Sequence, residues 1–281
     1  MRLLYGKPLA EKLRARSAER VARLGDRAIE PRLAVVSVGA DPAANAYLGR
    51  LAAHGRRLDV AVEDVSLGRD ATEGQLAAEL DRLGGDTRVN GVLVLTPLPL
   101  TFDDQRVALR IPSEKDVEGM HPANAGLLAV GKPCFVPSTA EAIVELLKFH
   151  GIPVRGARAV VIGRSPVVGR PVATLLINED ATVTTAHRQT ADLAAITRGA
   201  DIVVVAIGRA GFVTGDMLRK GATVIDAGIN VTPHGIVGDV DAASVSAVAG
   251  ALSPVPGGVG SVTTELLLRN VITAAERQRG D

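Results

Sequence analysis

Residues 157–174, ARAVVIGRSPVVGRPVAT, constrain the fold more than any other stretch. A short apolar run, Val160–Ile162, ends in Gly163, Arg164 and Ser165. Gly169 follows, and then a helix-competent segment, Pro171–Leu176. A strand that turns at a glycine into a helix is the plan of a nucleotide-binding βα unit. The N–H groups and positive dipole end of such a helix suit a phosphate. Gly163 lets the backbone turn and approach a ligand closely. The spacing is G-x-S-x-x-x-G, so the G-x-G-x-x-G fingerprint is not met literally. The alternative is a plain βα turn.

Ala181–Thr185, ATVTT, is rich in β-branched residues and reads as the next strand. In an NAD-binding unit, an acidic residue about 20 positions after the glycine turn holds the ribose 2′-hydroxyl. Here the strand ends in His187 and Arg188, and Asp192 falls later, inside the expected following helix. With Arg164 in the turn, this basic strand end favours a 2′-phosphate, hence NADP over NAD. The alternative is a solvated basic edge.

The remaining chain alternates strands and helices, which predicts parallel sheets. Helical spacing runs over 8–24, 43–58 and 73–83. Apolar strand runs occupy 33–38, 60–65 and 91–95. Lys115–Gly131 mixes charge, Gly, Pro and Asn without periodicity and reads as a long ordered loop that carries function. A helix over 140–150 follows, with Ser138 or Thr139 as N-cap candidate. Strands at 202–207 and 222–226 end at Gly208 and Gly228. Ser253–Thr264, SPVPGGVGSVTT, is a second Gly/Pro-rich loop, and 265–278 is a terminal helix with a broad apolar face. The boundary expected near Gly151 gives a first domain over 1–150 and a nucleotide-binding domain over 151–263. The terminal helix, 264–281, packs back on the first.

A chain of 281 residues with 47% hydrophobic content suffices for two α/β domains. The formal charge of +1 gives no reason to expect nucleic acid or an anionic membrane as partner. Aromatics make up only 2%, which argues against base-stacking platforms. One cysteine, Cys134, excludes a disulfide framework. The five histidines show no paired ligand spacing, so no metal is expected. With no signal pattern and no apolar run of membrane-spanning length, a cytoplasmic setting is expected.

Several segments together resemble the bifunctional methylenetetrahydrofolate dehydrogenase/cyclohydrolase family. They are Val38–Gly39 with Asp41–Pro42–Ala43 and Tyr47; Pro97–Leu98–Pro99; Lys115–Asp116–Val117 with Gly119; Val161–Ser165 with Val168–Gly169; Val224–Asn230; Val237–Val240; and Pro254–Gly260. The resemblance implies an N-terminal α/β domain, a C-terminal Rossmann-like NADP-binding domain and an active cleft between them. It implies oxidation of 5,10-methylenetetrahydrofolate by NADP, then hydrolysis of the methenyl product to 10-formyltetrahydrofolate, by a homodimer. It places Tyr47, Pro97, Glu118, Gly257 and Gly258 at the substrate. Gly163, Arg164, Ser165, Gly169, His187, Arg188 and Ile229 fall at the cofactor.

The chain also departs from the family. The family reads Ser-x-x-Tyr-x-x-x-Lys where this chain has Ala44, Tyr47 and Leu51. It reads Val-Gln-Leu-Pro-Leu-Pro where this chain has Val94, Leu95, Thr96, Pro97, Leu98 and Pro99. The catalytic lysine and its glutamine are thus Leu51 and Leu95, and the folate-binding aspartate is Glu118. Leucine neither donates, accepts nor carries charge. Water attack needs a group that manages protons, typically worth ~10²–10⁴-fold, whereas hydride transfer rests mostly on positioning. The two leucines therefore predict an intact dehydrogenase with a doubtful cyclohydrolase. His54 and Arg50 lie on α-helical spacing from Tyr47 and are the two candidates to rescue the hydrolase. The plainer reading makes His54 an ordinary helix-surface residue. Tyr47 is read as a stacking or hydrogen-bonding group for a pterin, against the alternative of a core tyrosine. Two further readings are a dehydrogenase for another one-carbon or pterin substrate and a non-catalytic nucleotide-binding paralogue.

Overall fold

The computed structural model describes residues 1–39, 42–233 and 235–278. Asp41, His234 and residues 279–281 of the expected terminal helix lie outside the described residues. In chain order the elements are β1 (Arg2–Leu3), α1 (Lys7–Gly25), β2 (Arg32–Val38), α2 (Pro42–Arg57), β3 (Ala61–Leu67), α3 (Glu73–Gly85), β4 (Gly91–Val94), α4 (Asp104–Arg110), α5 (Pro122–Ala129) and α6 (Ser138–Phe149). There follow β5 (Arg158–Ile162), α7 (Gly169–Asn178), β6 (Thr182–Ala186), α8 (Leu193–Thr197), β7 (Ile202–Val205), β8 (Thr223–Asp226), β9 (Asn230–Thr232), β10 (Gly235–Val237), α9 (Ala242–Ser246), β11 (Ala251–Leu252) and α10 (Thr263–Gln278).

The chain forms two compact units. One comprises 12–136 and 264–281. Its three strands are parallel, in the order β3-β2-β4. Strand β2 is buried almost throughout because both its faces are covered. Leu33 and Val35 point into a cluster with Leu51 of α2 and Leu58 just after it, Val21 and Leu24 of α1, and Leu267, Leu268, Val271 and Ile272 of α10. Ala34 and Val36, on the alternate face, join Leu76, Leu80 and Leu83 of α3 and Val107 of α4.

The other unit comprises 1–11 and 137–263. Its six-stranded sheet runs β1-β11-β8-β7-β5-β6, parallel throughout. The chain enters at β5, steps out to β6 and returns on the other side of β5 to β7. This reversal makes a topological switch point at the carboxyl ends of β5 and β7. Strands β9 and β10 form a separate antiparallel hairpin.

Four local expectations change. The segment 115–131 is not all loop: α5 occupies 122–129, with Pro122 in its first turn and His121 Nδ1 accepting from Ala123 N–H at 3.0 Å. Its weak amphipathicity hid it. Helix α6 begins at Ser138 behind Pro137, and neither Ser138 nor Thr139 acts as the N-cap. The buried face of α6 packs with α7, so the units divide before α6 and not near Gly151. Asp192 is the N-cap of α8, in a left-handed conformation, and not a residue within the helix. Strands β1 and β11, two residues each, are too short to leave a periodic signal. No described helix is long and apolar enough to cross a membrane.

Candidate functional site

In the six-stranded unit, the turn after β5 sits at the switch point. Gly163 has φ +121°, and a Cβ there would lie 2.2 Å from the carbonyl oxygen of Ala206 at the end of β7. A Cβ on Gly169 would lie equally close to the Gly163 carbonyl oxygen. Both positions therefore require glycine, and the backbone of the turn stays open to a ligand. Ser165 Oγ accepts from the Val168 and Gly169 N–H groups, at 3.1 and 3.4 Å, and shapes the first turn of α7. Arg164 and Arg188 are exposed. His187, half-buried after β6, is held by its N–H donating to Thr190 Oγ1 at 2.8 Å. Ile229 is exposed.

Two buried aspartates, not singled out by the sequence reading, build the neighbouring turns. Asp239 accepts from the N–H groups of Ile207, Gly208 and Arg209 at 2.7–2.9 Å, and from Asn230 Nδ2 at 2.9 Å. Asp226 accepts from the N–H groups of Gly228, Asp239 and Val240. Burial raises the Asp226 carboxyl above its ordinary range, and the adjacent Asp239 adds to this, against the three N–H donors. The turn after β7 is thus fixed by a side chain about 30 residues away, and Asp226 at the end of β8 ties its own turn to the backbone 13 residues on, which no local pattern reveals. In the loop 253–262, Gly258 N–H donates to Pro254 O at 2.7 Å, and Gly257 has φ +108°.

In the three-stranded unit, Tyr47 and Leu95 pack against the cluster that buries Leu51 completely. Both leucines thus belong to the same apolar surroundings. Burial raises the Tyr47 hydroxyl well above the usual tyrosine range. Glu118 raises it further, and Arg50 opposes. The Arg50 guanidinium lies 5.8 Å from the Tyr47 ring centroid. Tyr47, Leu51, Leu95 and Glu118 are thus brought into one neighbourhood. Pro97 is exposed in the turn after β4.

The segment 115–119 is a frame for Glu118. Lys115 is buried and donates to Leu83 O at 3.1 Å and Asp86 O at 2.7 Å, closing the C-terminal end of α3. Burial lowers its pKa. Asp116, also buried, accepts from Met120 N–H, His121 N–H and Asn124 Nδ2. A Cβ on Gly119, where φ is +67°, would lie 2.4 Å from Phe135 O. Glu118 is held between fixed neighbours.

His54 is not an ordinary surface residue. Its Nδ1 lies 2.9 Å from Glu265 Oε1, the same oxygen that accepts from Arg14 at 2.8 and 3.0 Å. Glu265 is fully buried, and its Oε2 has no hydrogen-bond partner. Three helices, α1, α2 and α10, meet on this one carboxylate. Neither Glu265 nor Arg14 carries a motif that would have marked it. Among the described residues, no group of three or more His, Cys, Asp or Glu side chains is placed to hold a metal ion.

A parallel sheet with an obligate glycine turn at its switch point and a basic strand end defines a dinucleotide-binding α/β protein. Family models agree at higher resolution. The NAD(P)-binding domain of tetrahydrofolate dehydrogenase/cyclohydrolase matches residues 137–279, and the catalytic domain of the same enzymes matches 4–118. The bifunctional protein FolD of Nocardia farcinica is 49% identical over 278 residues, spanning 99% of this chain and 98% of its own length. The solved FolD dehydrogenase/cyclohydrolase of Campylobacter jejuni superposes with a TM-score of 0.96 at 39% identity, covering 99% of both chains. The Trypanosoma brucei enzyme, solved with NADP cofactor and inhibitor, gives 0.94 at 34% identity, over 99% of this chain and 98% of its own. The chain belongs to the tetrahydrofolate dehydrogenase/cyclohydrolase family.

Proposed function

We propose that the protein is an NADP-dependent methylenetetrahydrofolate dehydrogenase that oxidises 5,10-methylenetetrahydrofolate to the 5,10-methenyl form and lacks an efficient cyclohydrolase. NADP supplies the hydride acceptor. Gly163 and Gly169 keep the backbone open where it would bind, Ser165 orders the start of α7, and Arg164, His187 and Arg188 would hold its 2′-phosphate, with Ile229 and the turn at Gly228 as further cofactor-binding residues. These side chains fit the group because the cradle rejects a Cβ at both glycines and the strand end carries cations in place of a carboxylate. On the substrate side, Tyr47 offers its ring to the flat portion of the folate. Its hydroxyl, kept protonated by burial, donates throughout the working pH range. Glu118 accepts N–H groups of the pterin. Pro97, exposed in the turn after β4, gives the substrate a close backbone wall.

The observation that carries the reading is the complete burial of Leu51 in an aliphatic cluster against which Leu95 also packs. Where the family uses a lysine and its glutamine to handle protons, this site has hydrocarbon. Hydride transfer survives because orientation is its main requirement. The deciding experiment follows NADPH absorbance with 5,10-methylenetetrahydrofolate and, separately, decay of the methenyl compound. Dehydrogenase turnover with methenyl decay at the spontaneous rate is expected. Enzyme-dependent decay would overturn the loss of the hydrolase.

The naming of the Nocardia farcinica relative as bifunctional favours a second reading, in which both steps persist. It requires a proton-handling group other than Leu51. His54 is already committed to Glu265, so His54→Ala should leave any methenyl decay unchanged. The expected assembly is a homodimer, for which the exposed Val231, Ile236 and Val237 on and beside the β9–β10 hairpin offer an apolar surface.

A further inference from the structure

The substrate-side neighbourhood contains a charge that the proposed chemistry leaves unused. Arg50 is exposed on α2, one turn after Tyr47, with its guanidinium 5.8 Å from the ring centroid. That distance is within the range of a cation–π contact. No carboxylate among the described residues is ion-paired with it, whereas Arg14, Arg20, Arg82 and Arg88 of the same unit each hold one. Arg50 and Glu118 both act on Tyr47, with opposite sign. An aromatic platform thus has an acceptor-only carboxylate and a donor-only guanidinium near it. The complementary ligand carries a flat ring, N–H donors and an anionic group.

A reduced folate is such a molecule: an amino-pterin at one end, an aminobenzoyl ring, and a glutamate tail with free carboxylates. We propose that Arg50 is a specificity-determining residue that binds a carboxylate of the substrate's glutamate tail. A guanidinium carries a permanent charge and presents paired donors that match a carboxylate. The same permanence removes it as a general base, so Arg50 does not restore the missing lysine's chemistry. Its role is to select and hold the tail while Tyr47 and Glu118 hold the rings. This inference rests on the dehydrogenase reading above.

The test compares two substrates that differ only in the tail: 5,10-methylenetetrahydrofolate and the corresponding tetrahydropteroate, which lacks glutamate. Wild-type protein is expected to show a KM lower by ~5–10-fold for the glutamate-bearing compound, the size of one charge-assisted contact at a partly exposed site. Arg50→Ala should bring the two KM values together by raising only the first. Arg50→Lys, which keeps the charge but loses the fork, should retain part of the difference. An equal KM ratio in wild type and Arg50→Ala would overturn the proposal, as would a wild type with no preference. Unchanged melting temperatures of the variants separate binding from folding. If wild type oxidises neither compound, the dehydrogenase reading fails. Equilibrium binding of tetrahydrofolate against tetrahydropteroate, in wild type and Arg50→Ala, then decides the Arg50 assignment by the same ratio.

Discussion

At the residue scale, the chemistry of the site depends on what Leu51 is buried among. Its side chain is fully buried in a cluster of aliphatic groups. Leu51→Lys alone places an ammonium there without a partner, and an uncompensated buried charge costs about 3–5 kcal/mol. The single variant should melt far below wild type and gain no hydrolase. Leu51→Lys with Leu95→Gln supplies the hydrogen-bond partner. It should recover part of the lost stability and produce enzyme-dependent methenyl decay. Urea unfolding of both singles and the double gives the coupling energy, and strict additivity would contradict the pairing. Tyr47 makes a separate prediction through pH. Its folded pKa lies above the unfolded value of about 10, so the folded state holds that proton more tightly. The stability this contributes is complete below pH 10 and is lost as pH rises beyond it. Tyr47→Phe should flatten the alkaline fall in stability, measured by denaturant unfolding between pH 9 and pH 11.

At the element scale, two carboxylates connect parts of the chain that are remote in sequence. Removing Asp239 orphans three backbone N–H groups and Asn230. Charged hydrogen bonds are worth about 1.5–3 kcal/mol each, and the buried donors are left unsatisfied. Asp239→Ala should therefore cost at least about 3 kcal/mol. It should also weaken NADP binding, measured by titration at a temperature where the variant is folded. The Arg14–Glu265–His54 junction is cheaper to remove. Arg14 and His54 are each about a third exposed and return to water readily. Deleting Glu265 also removes its unpartnered Oε2. Glu265→Ala should cost only about 1–2 kcal/mol. A loss larger than 4 kcal/mol would show that the junction organises the three helices.

These elements also show what the sequence makes legible. The strands β2, β5, β7 and β8 are doubly covered, so their apolar runs stand out unaided. Helices α1, α3 and α10 bury one stripe each and show it as spacing. Helix α5 and strands β1 and β11 leave no such trace, because a turn or two of chain carries no period. Tyr47, Glu118, Gly163 and the basic strand end stand out as candidates because each lies inside a local motif. Asp226 and Asp239 lie inside quoted segments, but their distant partners, like those of Glu265 and Arg14, leave no mark beside them in sequence. His54 shows the limit most clearly. Its helical position was correct, but its meaning lies 211 residues away.

At the scale of the whole molecule, the exposed hairpin β9–β10 is where assembly is open to test. Val231 and Ile236 lie opposite each other in its register, and both are exposed. Replacing both by aspartate places like charges on that surface. Sedimentation should then show a dimeric wild type and a monomeric variant, each with an unchanged fold by circular dichroism. A variant that still sediments as a dimer would move the interface elsewhere.

The division of the chain has a further consequence, for how the protein is made. Each unit is assembled from two separate stretches of sequence. The sheet order places β1, from the first residues, beside β11, from residues 251–252. The core around β2 and α2 is closed by α10, which is made later still. During synthesis, neither core can be completed until nearly the whole chain has left the ribosome. The nascent protein must carry two open apolar faces for most of its translation, and any stop codon upstream of α10 yields a product with one core permanently unsealed. Quality control should treat such fragments as unfolded, however much of the nucleotide-binding unit they contain.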